Sequence, residues 1–252
     1  MDDPSSDRPE CSALPFQVFD PLQECKVLER RLPHWSQAGT VCFITFRTWD
    51  SLPAHVVEAW LAERQAWLRR HGIDPTRADW EARLRELSKD KAREFSNYVS
   101  DRWNDHLDAL HGACVLREPA LARIVVDSLW HFDGERYVLD DFVVMPNHVH
   151  LLAAFPDEEA MLAQCESWKH FTARKIHRAT GGSGRFWEQD DFDHLVRSPE
   201  QFEYYRRYIA ENPVRAGLKP REYFHETRSS RFPKLATSNE ERPANSRHHG
   251  GA

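Results

Sequence analysis

The sequence predicts an α+β sandwich: a small antiparallel sheet with helices packed on it and a charged helical insertion. Three observations predict it. Thr40 to Thr48 (TVCFITFRT) is dense in β-branched and aromatic residues, as a buried strand requires. Tyr137 to Met145 and His148 to Phe155 form two more such runs, separated only by Pro146-Asn147, which reads as an antiparallel hairpin. Between and after these runs the apolar residues recur at helical spacing.

The elements follow in order. Leu52-Pro53 starts a helix to about His71, with Val56, Val57, Trp60, Leu61, Trp67 and Leu68 as its apolar face, and Gly72-Ile73-Asp74-Pro75 breaks it. Residues from about Arg77 to His111 are highly charged and helical in pattern, a helical pair or one long helix, read as a solvated scaffold ahead of a catalytic role. Pro119 to Trp130 is a helix on Leu121, Ile124, Val125 and Leu129, and Asp133-Gly134 is the turn into the hairpin. Glu158 to Arg178 is a helix, basic toward its end. Gly181-Gly182-Ser183-Gly184 is a connector, and Phe186-Trp187 and His194 to Arg197 are extended. Ser198 is the N-cap and Pro199 the first residue of a helix to about Glu211, which Asn212-Pro213 ends. The domain organisation expected is a polar tail and lead-in at 1–30, one domain at 31–236 with an insertion at about 74–112, and a disordered tail at 237–252. The His248-His249 pair falls in that tail and is read as incidental.

Composition bounds the function. The 252 residues hold 40% hydrophobic and 29% charged side chains, ordinary for a soluble domain with a core. No run has the length of a membrane span, and the acidic, proline-rich start is unlike a signal peptide, so a cytoplasmic location is expected. Cys11, Cys25, Cys42, Cys114 and Cys165 are odd in number, scattered and without a CxxC, which argues against a disulfide framework or a cysteine zinc site. A net charge of −6 argues against indiscriminate nucleic-acid binding and leaves local basic surfaces open.

Two groups of residues carry chemistry. His148 and His150 sit at alternate positions of a strand, so both imidazoles face one side and can share a divalent cation, while Val149 turns into the core. Taken alone, His-x-His is a weak signal, more often the mark of a hydrogen-bonded pair on a half-buried face. Tyr208 and Asn212 are four apart on the late helix and share a face. An Asn side-chain oxygen suits a hard metal such as magnesium or manganese. A tyrosine hydroxyl becomes a useful nucleophile only where its phenolate is stabilised. Helical spacing leaves Tyr204 on nearly the same face as Tyr208.

The segment FVVMPNHVHLL (Phe142 to Leu152) resembles the histidine-hydrophobe-histidine (HUH) motif of the tyrosine transposases. The segment FWEQDDFDHLVRSPEQFEYYRRYIAENPVRAGL (Phe186 to Leu218) resembles the end of the REP-associated subgroup: a Trp, an Asp-His-x-x-Arg element and a Tyr-Ile-x-x-Asn-Pro-Val-x-x-Gly helix terminus, in that order. The resemblance spans roughly Arg31 to Tyr223, specific in its last two blocks and loose before them. It implies a ferredoxin-like (RRM-like) core, with His148, His150 and Asn212 as ligands of Mg2+ or Mn2+ and Tyr208, rather than Tyr204 or Tyr205, as nucleophile. The implied activity cleaves and rejoins single-stranded DNA beside hairpins or palindromic repeats through a 5′-phosphotyrosine, without ATP. The charged segment from about Asp74 to His111 departs from a minimal enzyme of this kind and leaves monomer or homodimer open.

Phosphate contacts are expected from Lys169, Arg174, Lys175 and Arg178 on the basic helix, from Arg197, and from Arg206, Arg207 and Arg215 around the tyrosine, against the plain alternative of a solvated charged face. Trp168 and Trp187 are read as core side chains ahead of base-stacking ones, and His194 as a supporting or phosphate-contacting group. Two other readings stay open: a DNA-binding regulator that kept the fold without strand transfer, and an unrelated metal-dependent phosphodiesterase using His148 and His150.

Overall fold

Hydrophobic runs without polar alternation imply strands covered on both faces, and that is how the sheet is built. The computed structural model describes Gln17, the backbone of 26–29 and 33–36, and residues 39–189 and 192–228, with 192–193 described by backbone alone. Strands β1 (Lys26–Glu29) and β2 (Pro33–Ser36) pair as a small antiparallel hairpin. The lead-in read as a tail at 1–30 therefore already holds a strand. Then come β3 (Val41–Arg47), α1 (Ala54–Arg70), α2 (Trp80–Arg85), α3 (Lys89–Asp108), α4 (Pro119–His131), β4 (Val138–Val144), β5 (His148–Ala154), α5 (Glu158–Thr180), β6 (Phe192–Leu195), α6 (Pro199–Arg215) and β7 (Phe224–Glu226). The predicted tail at 237–252, with His248 and His249, and Cys11 and Cys25 lie outside the described residues.

The main sheet has the order β6-β3-β5-β4-β7, with every neighbouring pair antiparallel. The connections β3 to β4 and β5 to β6 each skip a strand, so each crosses over one face through helices. Even-numbered residues of β3 (Cys42, Ile44, Phe46) and odd-numbered residues of β5 (Val149, Leu151, Ala153) meet α4 and α5 in one core. Val41, Phe43, Leu152 and Ala154 meet Phe202, Tyr208 and Ile209 of α6 in the other. Trp168 and Trp187 lie in the first core, 1% and 5% exposed. The strand β7 went unread because three residues carry no measurable period.

Two helix predictions need correction. The α6 helix does not end at Asn212-Pro213. It runs on to Arg215 with Pro213 inside, and the Ala216 N–H donates to the Asn212 C=O at 3.0 Å. A proline this close to a helix end deletes one backbone bond and leaves the closing turn intact. The charged insertion is no solvated surface throughout. Trp67, Leu68, Ile73 and Phe95 form a core of their own, and Leu52, Val56 and Leu107 fix the end of α3 to the start of α1.

The chain leaves α3 through a tight turn at Gly112, with φ +87°, where a Cβ would lie 2.7 Å from the Asp50 carbonyl oxygen. There the Ala113 N–H donates to the Asp50 carboxylate at 2.8 Å. The Asn147 Nδ2 donates to the His111 C=O, also at 2.8 Å. The last turn of α3 is thereby clamped against the hairpin that opens β5. Among the described residues no helix is long and apolar enough to cross a membrane.

A register shift between Leu139 and Phe142 bulges β4 and buries Asp140 and Asp141, each 1% exposed. Arg206 of α6 answers them, its Nε donating to Asp141 Oδ2 at 2.8 Å and lying 3.8 Å from Asp140 Oδ2. Burial first, and Asp141 second, push the Asp140 carboxyl up to about 7. The folded protein then keeps a proton that the unfolded chain has released, so this group's contribution is favourable at low pH and is lost as pH rises through about 7. Asp140→Asn removes that loss: relative to wild type it gains on the order of 1–3 kcal/mol between pH 4 and pH 8. Urea midpoints across that range check this, and parallel wild-type and variant curves would refute it.

Candidate metal and tyrosine site

Strand alternation places His148 and His150 on the α6 face of β5, both 0% exposed, their rings 4.6 Å apart and edge to face. Each ring is oriented from behind. The Nδ1 of His148 is 2.8 Å from Asn147 Oδ1, which can only accept, so Nδ1 carries the hydrogen and the Nε2 lone pair is free. The Nδ1 of His150 is 2.7 Å from the Thr45 hydroxyl on the paired strand β3. Burial drives both imidazolium forms down, His148 far below its ordinary range with a further push from His150, and His150 to about 3. Both rings are neutral at physiological pH, the form that ligates metal.

The α6 helix brings Tyr208 and Asn212 to the same pocket. The Tyr208 hydroxyl is 3.5 Å from His150 Nε2, and Asn212 is fully buried. Tyr205 instead stacks on Phe43, ring centres 4.3 Å apart, and Tyr204 is 53% exposed. Of the three tyrosines on this helix, Tyr208 is the one placed beside the histidine pair.

The fifth member comes from the insertion. Asp108, in the last turn of α3, has Oδ1 3.7 Å from His148 Nε2 and accepts a 2.8 Å bond there from Asn212 Nδ2. Asp108, His148 and His150 each offer a ligand atom, all within 4.8 Å of one another. Burial, opposed by the Asn212 bond, pushes the Asp108 carboxyl up to about 6. Among the described residues, three buried polar atoms here have no hydrogen-bond partner: His148 Nε2, Asp108 Oδ2 and Asn212 Oδ1. Orphaned buried donors and acceptors are costly, and two nitrogens with two oxygens make a donor set that fits a divalent cation.

Asp108, Asn147 and Thr45 were missed from the sequence. The one signal for Asp108 is its place. Asp105 and Asp108 stand in the final turns of a helix, where the dipole opposes negative charge. Together with Asp101 they line one face of α3 at spacings of four and three. Arg215 crosses to this face, 3.4 Å from Asp105 and with its guanidinium 5.7 Å from the centre of the Tyr208 ring. Burial, with Asp108 adding to it and Arg215 opposing, holds the Tyr208 phenol well above its ordinary range.

The expected DNA-contacting cations divide. Lys169 is buried, its Nζ donating to the Gln189 C=O at 2.7 Å, and Arg206 is engaged at the β4 bulge. Arg174, Lys175 and Arg178 are exposed on α5, across the sheet from Tyr208, and Arg197, Arg207 and Arg215 are exposed around α6. His194 is half-buried beside Tyr205, ring centres 5.9 Å apart. Its Nε2 lies 3.1 Å from Gln201 Nε2, and burial lowers it to about 4.

No family model matches the chain, and no curated protein matches it. Among solved structures, a REP-associated tyrosine transposase bound to a REP hairpin is similar to it at 14% identity, over 72% of this chain and 70% of that one, with a TM-score of 0.33.

Proposed function

We propose that the protein is a metal-dependent HUH-type endonuclease and strand transferase, a tyrosine transposase acting on single-stranded DNA beside hairpin-forming palindromic repeats. The observation that carries the reading is the meeting of the Tyr208 hydroxyl with His150 in a buried pocket that also holds three partnerless polar atoms, on His148, Asp108 and Asn212. The order β3, α4, β4, β5, α5, β6 with sheet neighbours β6-β3-β5-β4 supports a ferredoxin-like core.

His148, His150, Asn212 and Asp108 would hold the cation, Mg2+ or Mn2+. When bound, it would polarise the scissile phosphate and favour the phenolate. The chain's own residues do the rest. Asn147 fixes the His148 tautomer and Thr45 orients the His150 ring, so the imidazoles are held in place before any ion arrives. Tyr208 gives up its phenolic proton to water and, as phenolate, attacks phosphorus. The phenolic O–P bond forms, the P–O3′ bond breaks, and the leaving 3′ oxygen takes a proton to become a hydroxyl. A second 3′-hydroxyl attacks the phosphotyrosine in the reverse sense, returning Tyr208 and restoring a phosphodiester. Bond energy is conserved throughout, so no ATP is consumed. Arg215, above the Tyr208 ring, adds positive charge where the phenolate and phosphate meet.

One observation favours a second reading. Tyr208 is only 7% exposed and its phenol is held high, the state of a residue that lines a pocket while water attacks. A metal-dependent phosphodiesterase of that kind releases its product without an adduct.

Two measurements test the proposal. Thermal unfolding with and without saturating Mn2+ should show wild type raised by about 5–10 °C, the shift expected of ligand at about 100 times its Kd in a domain of this size. His148→Ala and Asp108→Ala should show little or none of it. An unchanged wild-type midpoint would remove the metal from the reading. Denaturing gels of protein incubated with labelled hairpin-flanked single strands and Mn2+ should show a covalent adduct, lost by at least 100-fold in Tyr208→Phe and His148→Ala. Cleavage that survives Tyr208→Phe without adduct would establish the phosphodiesterase. Tight DNA binding with no cleavage would establish a regulator.

A further inference from the structure

The chain carries a net charge of −6, yet residues 167–187 contain Lys169, Arg174, Lys175, Arg178 and Arg185 and not one Asp or Glu. Lys169 is buried, and Arg185 is bonded to Glu188. The remaining three cations, Arg174, Lys175 and Arg178, are exposed on the second half of α5, and Lys175 lies over the ring of Phe171, itself 40% exposed.

Topology decides where this surface lies. The α5 helix starts beyond Ala154, the far end of β5 from His148, and returns over the sheet. Its 23 residues span about 34 Å, whereas the seven of β5 span about 23 Å, so its basic half ends beside the histidine end of the sheet. The loop that follows is tied there. The Glu188 N–H donates to the Arg47 C=O at 2.8 Å, and the Trp49 N–H to the Phe186 C=O at 2.9 Å. The Thr48 N–H donates to the Asn147 C=O, also at 2.8 Å, and Arg47 is the register partner of His148. Trp49 thus sits between the basic end of α5 and the turn that precedes the histidines, and the residue is 55% exposed.

We infer that this end of the sheet is a track for single-stranded DNA leading to the Tyr208 pocket, with Trp49 stacking on an unpaired base and Arg174, Lys175 and Arg178 binding phosphates. An acid-free row of cations on an acidic protein selects a polyanion. An exposed indole beside it selects a strand whose base faces are free, which a duplex hides. The inference rests on the nuclease reading for its destination, not for its ligand chemistry.

The test is fluorescence anisotropy of a labelled twenty-residue thymidine oligonucleotide in EDTA, from low to moderate salt. It compares the full-length wild type, Trp49→Ala and the triple variant Arg174→Gln, Lys175→Gln, Arg178→Gln, each verified as folded by its urea midpoint. Trp49→Ala should weaken binding about 5- to 100-fold with the salt slope unchanged. The triple variant should reduce the log–log salt slope by about 2. If both variants bind as wild type does, the track is refuted, even where the wild type forms the tyrosine adduct. If Trp49→Ala is silent and a blunt duplex loses as much affinity as the single strand in the triple variant, the assignment to single strands is overturned. If the track behaves as stated while no adduct forms with Mn2+, the inference stands and the transferase reading falls. A wild type that binds no oligonucleotide refutes both.

Discussion

The site depends on one pairing register. Thr45 lies opposite His150 and Arg47 opposite His148 in the antiparallel ladder between β3 and β5. In a strand the side-chain period is two, so a slip by one residue would turn both histidines into the apolar core beneath α4 and α5 and bring Val149 into the pocket. Burial on both faces forbids the slip. Val149, Leu151 and Ala153 fill one core while Leu152 and Ala154 fill the other, and neither set can be exchanged for the other without stranding imidazoles in hydrocarbon. The same register brings the Thr45 hydroxyl to His150 Nδ1, so the fold that places the ring also fixes its orientation.

On this platform two elements of different origin converge. The α6 helix packs on the sheet through Phe202, Ile209 and Tyr208, and the Arg206 clamp on the β4 bulge restrains its rotation. Because Pro213 falls near the end, the helix survives through Asn212, which stays one turn from Tyr208. The insertion reaches the pocket from another direction. Leu107, fully buried against Leu52 and Val56, anchors the last turn of α3, and its neighbour Asp108 faces Asn212 and His148. Directly after it Leu110, Gly112 and Cys114 all adopt positive φ, a conformation that costs non-glycine residues energy and that the Asn147 and Asp50 bonds hold in place.

Charge is distributed with similar economy. Asp108 of α3 and Arg215 of α6 flank Tyr208, with Asp105 against Arg215, while the exposed cations of α5 lie on the other side of the sheet at the same end. An anionic ligand would therefore meet attraction along one approach and an acidic face along another. The net charge of the whole chain conceals this difference, because local fields, not totals, govern docking.

The sequence by itself determined the local elements: the hairpin at Pro146-Asn147, the capped start of α6 at Ser198, the strand at 41–47 and the break after α1 were all legible, since each depends on residues within a few positions of one another. It also placed His148 with His150 and Tyr208 with Asn212, because a period of two or of 3.6 is a local property. Tertiary structure alone decided the rest. Asp108, from a charged segment read as scaffold, joined the site. Arg206 and Lys169, indistinguishable in sequence from their exposed neighbours, turned inward to partners distant in the chain, Asp141 and Gln189. Where helical spacing left Tyr204 beside Tyr208, the surroundings of each ring across the α6 face differ, Tyr208 meeting His150 and Tyr204 standing exposed. Such contacts join residues as far apart as Asp108 and Asn212, and no periodicity spans that distance. They are set by which faces the two cores bury, and the chain resolves that only when its strands have paired.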